Sequence, residues 1–200
     1  MPSMSAVEQR FCRSGVWGLV ARRVILPWAL QGLHLDGELL EIGGGSGAMA
    51  AGAARSFPDL RLTVTDIDPA MVNTARQRLH DRPNVVVERA DVTDLPFDDE
   101  SFDYVVSYLM LHHVVGWQQA LVEAARVLRP GGKLIGYDLS KTRVAEWIHR
   151  ADRSPHRLVD VDELEPAFRE AGLETVDVRP GRGGYLVRFA AAKPMSAPSW

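Results

Sequence analysis

A single cysteine, Cys12, is present, so the chain forms no internal disulfide and cannot anchor a metal cluster with thiolates; that usage fits a reducing cytosol. Long apolar runs are missing too. The most hydrophobic stretch near the start, VWGLVARRVILPWAL, is interrupted by Arg22, Arg23 and Pro27, which leaves it too broken to span a bilayer. It also lacks the small-residue cleavage site of a leader peptide. Positive charge is not in excess: 23 Lys and Arg against 26 Asp and Glu give a net charge of -3, without a basic field for nucleic acid to find. What is there, with 46 % hydrophobic and 24 % charged residues over 200 positions, has the composition of one folded domain large enough for a sheet flanked by helices.

The spacing of Trp17, Val20, Val24 and Trp28 predicts an amphipathic helix with that side toward the core. Residues 1–36 read as an N-terminal helical cap, 37–193 as the main domain and 194–200 as a flexible, proline-containing tail. Within the main domain, short Val, Ile and Leu-rich runs alternate with stretches of helical spacing. Strands are expected at 38–42, 61–65, 84–88, 102–107, 133–138, 173–179 and 185–191, and helices at 46–56, 69–80, 116–128 and 162–171. Strand and helix in turn indicate an α/β fold, a Rossmann-like, seven-stranded and mostly parallel sheet with helices on both faces. The last two strands are separated only by PGRGG at 180–184, too short for a parallel crossover of about a dozen residues. They should form an antiparallel hairpin at the sheet's C-terminal end.

LLEIGGGSGAMA, 39–50, is the densest concentration of glycine. An apolar strand leads into it and a small-residue helix leads away, so Gly43, Gly45 and Gly47 would let backbone approach a ligand where a side chain would collide with it. Alone, the turn also fits a dinucleotide fingerprint, G-x-G-x-x-A at Gly43, Gly45 and Ala48. Asp66 ends the second apolar run about 20 residues on, where a carboxylate can accept both ribose hydroxyls. Asp68, before Pro69, reads as the cap of the next helix. Asp91 follows the third strand and would open onto the same edge of the sheet, within reach of an adenine amino group.

EIGGGSG, TDIDPAMV, DVTDLPFDDESFD and ARVLRPGGKL stand in order and at fitting distances. Together they resemble the class I S-adenosylmethionine-dependent methyltransferases, in particular the small single-domain group with a DLPF segment. The resemblance runs from about residue 37 to 138. It implies S-adenosylmethionine as cofactor, with Glu41, Gly43, Gly44, Gly45 and Gly47 around its methionine part and Asp66 with Ile67 at the ribose. Asp91 and the Val92 backbone would take adenine, and the backbone near Ser107 would face the methionine amino group. Glu41 before the turn favours a cationic methyl donor over a pyrophosphate.

A sulfonium methyl is already electrophilic, so the protein must chiefly hold a nucleophile in line and exclude water. A hydroxyl acceptor would also need a base. His112 and His113, in SYLMLHHV after the fourth strand, are the candidates, with Tyr108 beside them and Asp138 as a further one. No metal site is expected, because carboxylates do not cluster with magnesium spacing; His149 and His156 read as solvated or substrate-lining.

Substrate choice would come from 1–36, where Phe11, Trp17 and Trp28 could form an aromatic lid. It would come equally from 139–161, where Trp147 stands among Lys141, Arg143, Arg150, Arg153 and Arg157. Both additions are short, which points to a small-molecule acceptor, with oxygen, nitrogen and carbon in falling order, and no nucleic-acid or membrane partner. The alternatives are a non-catalytic methyltransferase-like subunit and an NAD-dependent oxidoreductase; the latter lacks a Tyr-x-x-x-Lys and a substrate domain.

Overall fold

The computed structural model describes residues 19–30, 32–140, 159–181 and 184–196. Cys12, Phe11, Trp17, Trp147, His149, His156 and the arginines and lysine of the 139–161 segment lie outside the described residues.

Seven strands form one sheet in the order β3-β2-β1-β4-β5-β7-β6. They are β1 (Glu38–Ile42), β2 (Arg61–Asp66), β3 (Val85–Arg89), β4 (Phe102–Tyr108), β5 (Leu128–Leu139), β6 (Glu174–Pro180) and β7 (Leu186–Ala192). The first five are parallel, and β7 runs antiparallel between β5 and β6. The hairpin expected from the short PGRGG connection is therefore present. The connecting helices are α1 (Leu26–Leu30), α2 (Ala48–Ser56), α3 (Pro69–Leu79), α4 (Trp117–Val127) and α5 (Val161–Glu170).

Alternation along the strands divides the core between the two faces. Leu40, Ile42, Val105, Leu134 and Phe189 pack against Trp117 and Leu121 of α4 and Phe168 of α5. Leu39, Leu62, Val64, Val106 and Ile135 pack against α1, α2 and α3. Burial of both faces explains the near-continuous apolar runs.

Two local readings need correction. The α2 helix starts at Ala48, not residue 46, because Gly47 sits at φ 73, in the left-handed region, and closes the turn before helix begins. Near the start, Val20 and Val24 face outward, while Leu26, Ala29 and Leu30 are buried. The chain passes through a π-helical turn at Ala21–Ile25, whose wider spacing throws a 3.6-residue pattern out of phase.

Candidate functional site

The turn between β1 and α2 is built by three different uses of glycine. Gly43, Gly45 and Gly47 have φ of 64, 55 and 73, a region that strains residues with a Cβ. A Cβ on Gly43 would lie 2.0 Å from Met110 Cγ, one on Gly44 2.4 Å from Val64 Cγ1, and one on Gly47 3.0 Å from Leu79 Cδ1. Those three glycines admit protein. A Cβ on Gly45 would meet no atom of the described residues within 4 Å, so among the turn's four glycines this one leaves its backbone open to an outside group. The reading that Gly43 and Gly47 spare a ligand from collision is thus corrected: Met110 and α3 occupy those spaces.

The turn also consumes its own amides. The N–H groups of Gly44, Gly45 and Gly47 donate to Thr65 O at 2.8 Å, Asp66 Oδ2 at 2.9 Å and Gly44 O at 2.9 Å. A pyrophosphate needs such amides pointed at it, and here they point into the protein.

Asp66, at the end of β2, accepts from Gly45 N–H with Oδ2 and from Asp68 N–H with Oδ1, each at 2.9 Å. A carboxylate offers about four lone-pair sites, so Asp66 can still accept from an outside donor. Burial outweighs these bonds and raises the Asp66 pKa. Asp68 caps α3, accepting Ala70 N–H at 2.8 Å ahead of Pro69, and Ile67 lies between the two aspartates. Asp91 uses Oδ1 for Thr93 N–H at 2.9 Å and the Thr93 hydroxyl at 2.7 Å. Its Oδ2 accepts no hydrogen bond among the described residues, which leaves it to an outside donor. Val92 follows with its side chain buried.

Beyond β4 the chain turns sharply. Leu109 has φ 53, uncommon for a leucine, and the reversal carries Met110 into the space above Gly43. It also carries the short helical turn Leu111–His113 onto Asp138. Asp138, fully buried at the end of β5, accepts Leu111 N–H at 2.7 Å and Leu139 N–H at 2.6 Å, and His112 Nδ1 lies 2.5 Å from its Oδ1. The two histidine rings stand 3.9 Å apart between centroids, His112 buried and His113 half-buried. Asp138 therefore holds His112 in place. Ser107, paired with Ile42 across β1 and β4, carries a buried hydroxyl with no partner among the described residues.

Glu41 lies under Gly44 and is 2 % exposed. Burial, with Asp66 adding to it, pushes its pKa up to about 8. Tyr108 is raised well above the ordinary phenol range by burial, then by Glu41 and Tyr137. Tyr137 contacts Tyr108 at 5.4 Å and Trp28 edge-on at 5.5 Å, so Trp28 is packed on β5. Glu41, Asp66, Tyr108 and Tyr137 thus lie together beside the glycine turn. Among the described residues no group of three or more His, Cys, Asp or Glu could hold a metal ion, and no helix is long and apolar enough to cross a membrane.

A parallel sheet with an antiparallel strand inserted between β5 and β6, a glycine turn after β1 and acids at the ends of β1, β2 and β3 together have the arrangement of a methyltransferase fold. Comparison with known proteins agrees: a family model described as "Methyltransferase domain" matches residues 40–136. The chain belongs to the class I S-adenosylmethionine-dependent methyltransferases. It is 29 % identical to a demethylmenaquinone methyltransferase of Clavibacter sepedonicus over 90 % of this chain and 80 % of that one. It is 34 % identical to the 27-O-demethylrifamycin SV methyltransferase of Amycolatopsis mediterranei over 71 % of this chain and 56 % of that one. Other curated relatives are spanned to about half their length, 45 % to 49 %. A solved SAM-dependent methyltransferase from Aquifex aeolicus superposes with a TM-score of 0.77 at 17 % identity, covering 96 % of this chain and all of that one. The cofactor of the family is S-adenosylmethionine. The residues fit it: backbone at Gly45 open to an outside group, a hydroxyl at Ser107 without a partner among the described residues and a spare carboxylate oxygen at Asp91.

Sequence reasoning missed two features. The pairing of His112 with Asp138 spans 26 positions, and nothing local marks it. Glu123 and Arg126, in the stretch before RPGGKL, contact the DLPF loop through backbone groups, whose partners no residue pattern names.

Proposed function

We propose that the protein transfers a methyl group from S-adenosylmethionine to a small-molecule acceptor, with oxygen ahead of nitrogen and carbon. The observation that carries this reading is the contact of His112 Nδ1 with Asp138 Oδ1 at 2.5 Å, beside the turn whose Met110 covers Gly43. A carboxylate accepting the Nδ1 proton fixes the imidazole in the tautomer whose Nε2 takes up a proton. Such a base serves a hydroxyl, which must lose its proton at or before transfer, more than a neutral amine or an already activated carbon.

When bound, the cofactor supplies a methyl group on a positively charged sulfur, an electrophile that needs no further activation. Glu41, Gly45 and the Ser107 region would hold its methionine part, Asp66 and Ile67 the ribose, and Asp91 with the Val92 backbone the adenine. Asp138 holds and orients His112, and His112 removes the acceptor's proton. The relative named for 27-O-demethylrifamycin supports an oxygen acceptor. A location in the cytosol goes with this reading, as do the absence of a nucleic-acid partner and the division of the chain into an N-terminal cap, 1–36, and a methyltransferase domain, 37–193.

The test is to incubate the protein with S-adenosylmethionine and separate panels of phenols and alcohols, amines and carbon acids, following S-adenosylhomocysteine. Turnover with hydroxyl acceptors that is lost in His112→Ala while cofactor binding is kept supports the reading. Cofactor binding without turnover on any panel would point to a non-catalytic subunit instead.

A further inference from the structure

The DLPF loop lies against one end of α4, where it meets a fork of charge. Glu123 Oε2 accepts Leu95 N–H at 2.8 Å, and Arg126 Nη2 donates to Leu95 O at 2.9 Å. The same residue is thus gripped at both its backbone groups. Arg126 Nη1 donates to Phe97 O at 2.7 Å and to Asp99 Oδ1 at 2.8 Å. The pair is locked to itself by Nε to Glu123 Oε1 at 2.9 Å and Nη2 to Glu123 Oε2 at 2.7 Å. Glu123 is buried, and between the two gripped carbonyls stands Pro96, whose ring fixes φ. Asp94 N–H in turn donates to Asp91 O at 3.1 Å, which closes a tight turn and passes the grip on to Asp91.

We infer that Glu123 and Arg126 are positioning residues for the adenine end of the cofactor: they set the Asp91–Leu95 turn so that the Asp91 carboxylate and the Val92 backbone meet the base. The inference rests on the methyltransferase reading and goes beyond it, since neither residue is placed to touch the cofactor. An exposed ion pair alone would contribute little. This one is different because its geometry is bidentate and its further bonds go to backbone groups of the loop, which a guanidinium fork suits and an ammonium does not. A loop prearranged in its binding shape has less order to lose when ligand arrives.

The experiment is calorimetric titration of wild type, Arg126→Gln, Arg126→Lys and Glu123→Gln with S-adenosylhomocysteine. The same proteins are titrated with its analogue bearing oxygen in place of the adenine 6-amino group, and thermal unfolding is recorded for each. Expected is a wild type that favours the adenine ligand, an affinity for it about ten-fold lower in Arg126→Gln, and a smaller preference between the two ligands. Arg126→Lys, which restores charge without the fork, should unfold near the wild-type temperature and still show the reduced preference. Wild-type affinity and preference in folded Arg126→Gln or Arg126→Lys overturn the inference. So does an equal loss for both ligands that tracks the unfolding temperature. A wild type that binds neither ligand overturns the methyltransferase reading itself, and one that binds both equally overturns the Asp91 assignment.

Discussion

Asp66 Oδ2 and the N–H of Gly45 meet at 2.9 Å across 21 positions of sequence, so the carboxylate proposed to hold the ribose also shapes the glycine turn. Asp66→Ala should therefore weaken cofactor binding by more than lost ribose bonds alone. The ribose hydrogen bonds are worth ~1 to 3 kcal/mol, and freeing Gly45 adds to that. Calorimetry with S-adenosylhomocysteine measures it. An unchanged dissociation constant would remove Asp66 from the site.

His112→Ala should lower kcat by ~100-fold or more for a hydroxyl acceptor, with cofactor affinity nearly unchanged. His113→Ala should cost far less. Asp138→Asn should lower kcat as well and also lose stability, because three protein groups meet that buried carboxylate. Steady-state kinetics beside thermal unfolding separates the two effects; a His113→Ala defect as large as that of His112→Ala would reverse the roles.

The carboxyl of Glu41, raised to about 8 by burial, gives a pH dependence of definite sign. Between the ordinary glutamate pKa near 4.3 and about 8, the folded protein holds this proton while the unfolded chain has lost it. Stability from this group is thus fully present at low pH and is lost as pH rises through that window, by an amount on the order of a few kcal/mol. Glu41→Gln should flatten the fall and unfold at a higher temperature than wild type at pH 8.5. Unfolding temperatures from pH 5 to 9 test it, and parallel curves for the two proteins would show that Glu41 is ionised throughout.

Gly43→Ala and Gly45→Ala should differ in kind. Both strain a left-handed backbone by roughly 1 to 2 kcal/mol, but the Gly43 methyl also strikes Met110, with a further ~1 to 3 kcal/mol for overpacking. Gly45→Ala meets none of the described residues within 4 Å and should lose cofactor affinity more than stability. Thermal unfolding and calorimetry on the pair resolve this, and similar stability losses for both would contradict it.

The strands, the Asp68 cap and the acids at the ends of β1, β2 and β3 were legible because each follows from local pattern or from an offset within one βα unit. The terminal hairpin was legible because five residues constrain a connection tightly. Where two distant segments meet, the residues carry no such mark. His112 and Asp138 each looked like a separate candidate base, and only the Leu109 turn brings them together. Gly43 and Gly47 looked like ligand-facing glycines, since the sequence does not say that Met110 and α3 fill the space beside them. The phase of the N-terminal helix went astray for a local reason, the π-helical turn at Ala21–Ile25.

The antiparallel strand β7 lies between β5 and β6, although it follows both in the chain. While a ribosome is still making residues before Leu186, the flank of β5 next to Ile135 and Tyr137 has no neighbour, and β6 has no place to dock. The half of the sheet that carries the glycine turn can gather early, whereas the half that carries Asp138 must wait for its last piece. Until then the emerging polypeptide displays an open strand, the kind of surface that chaperones shield.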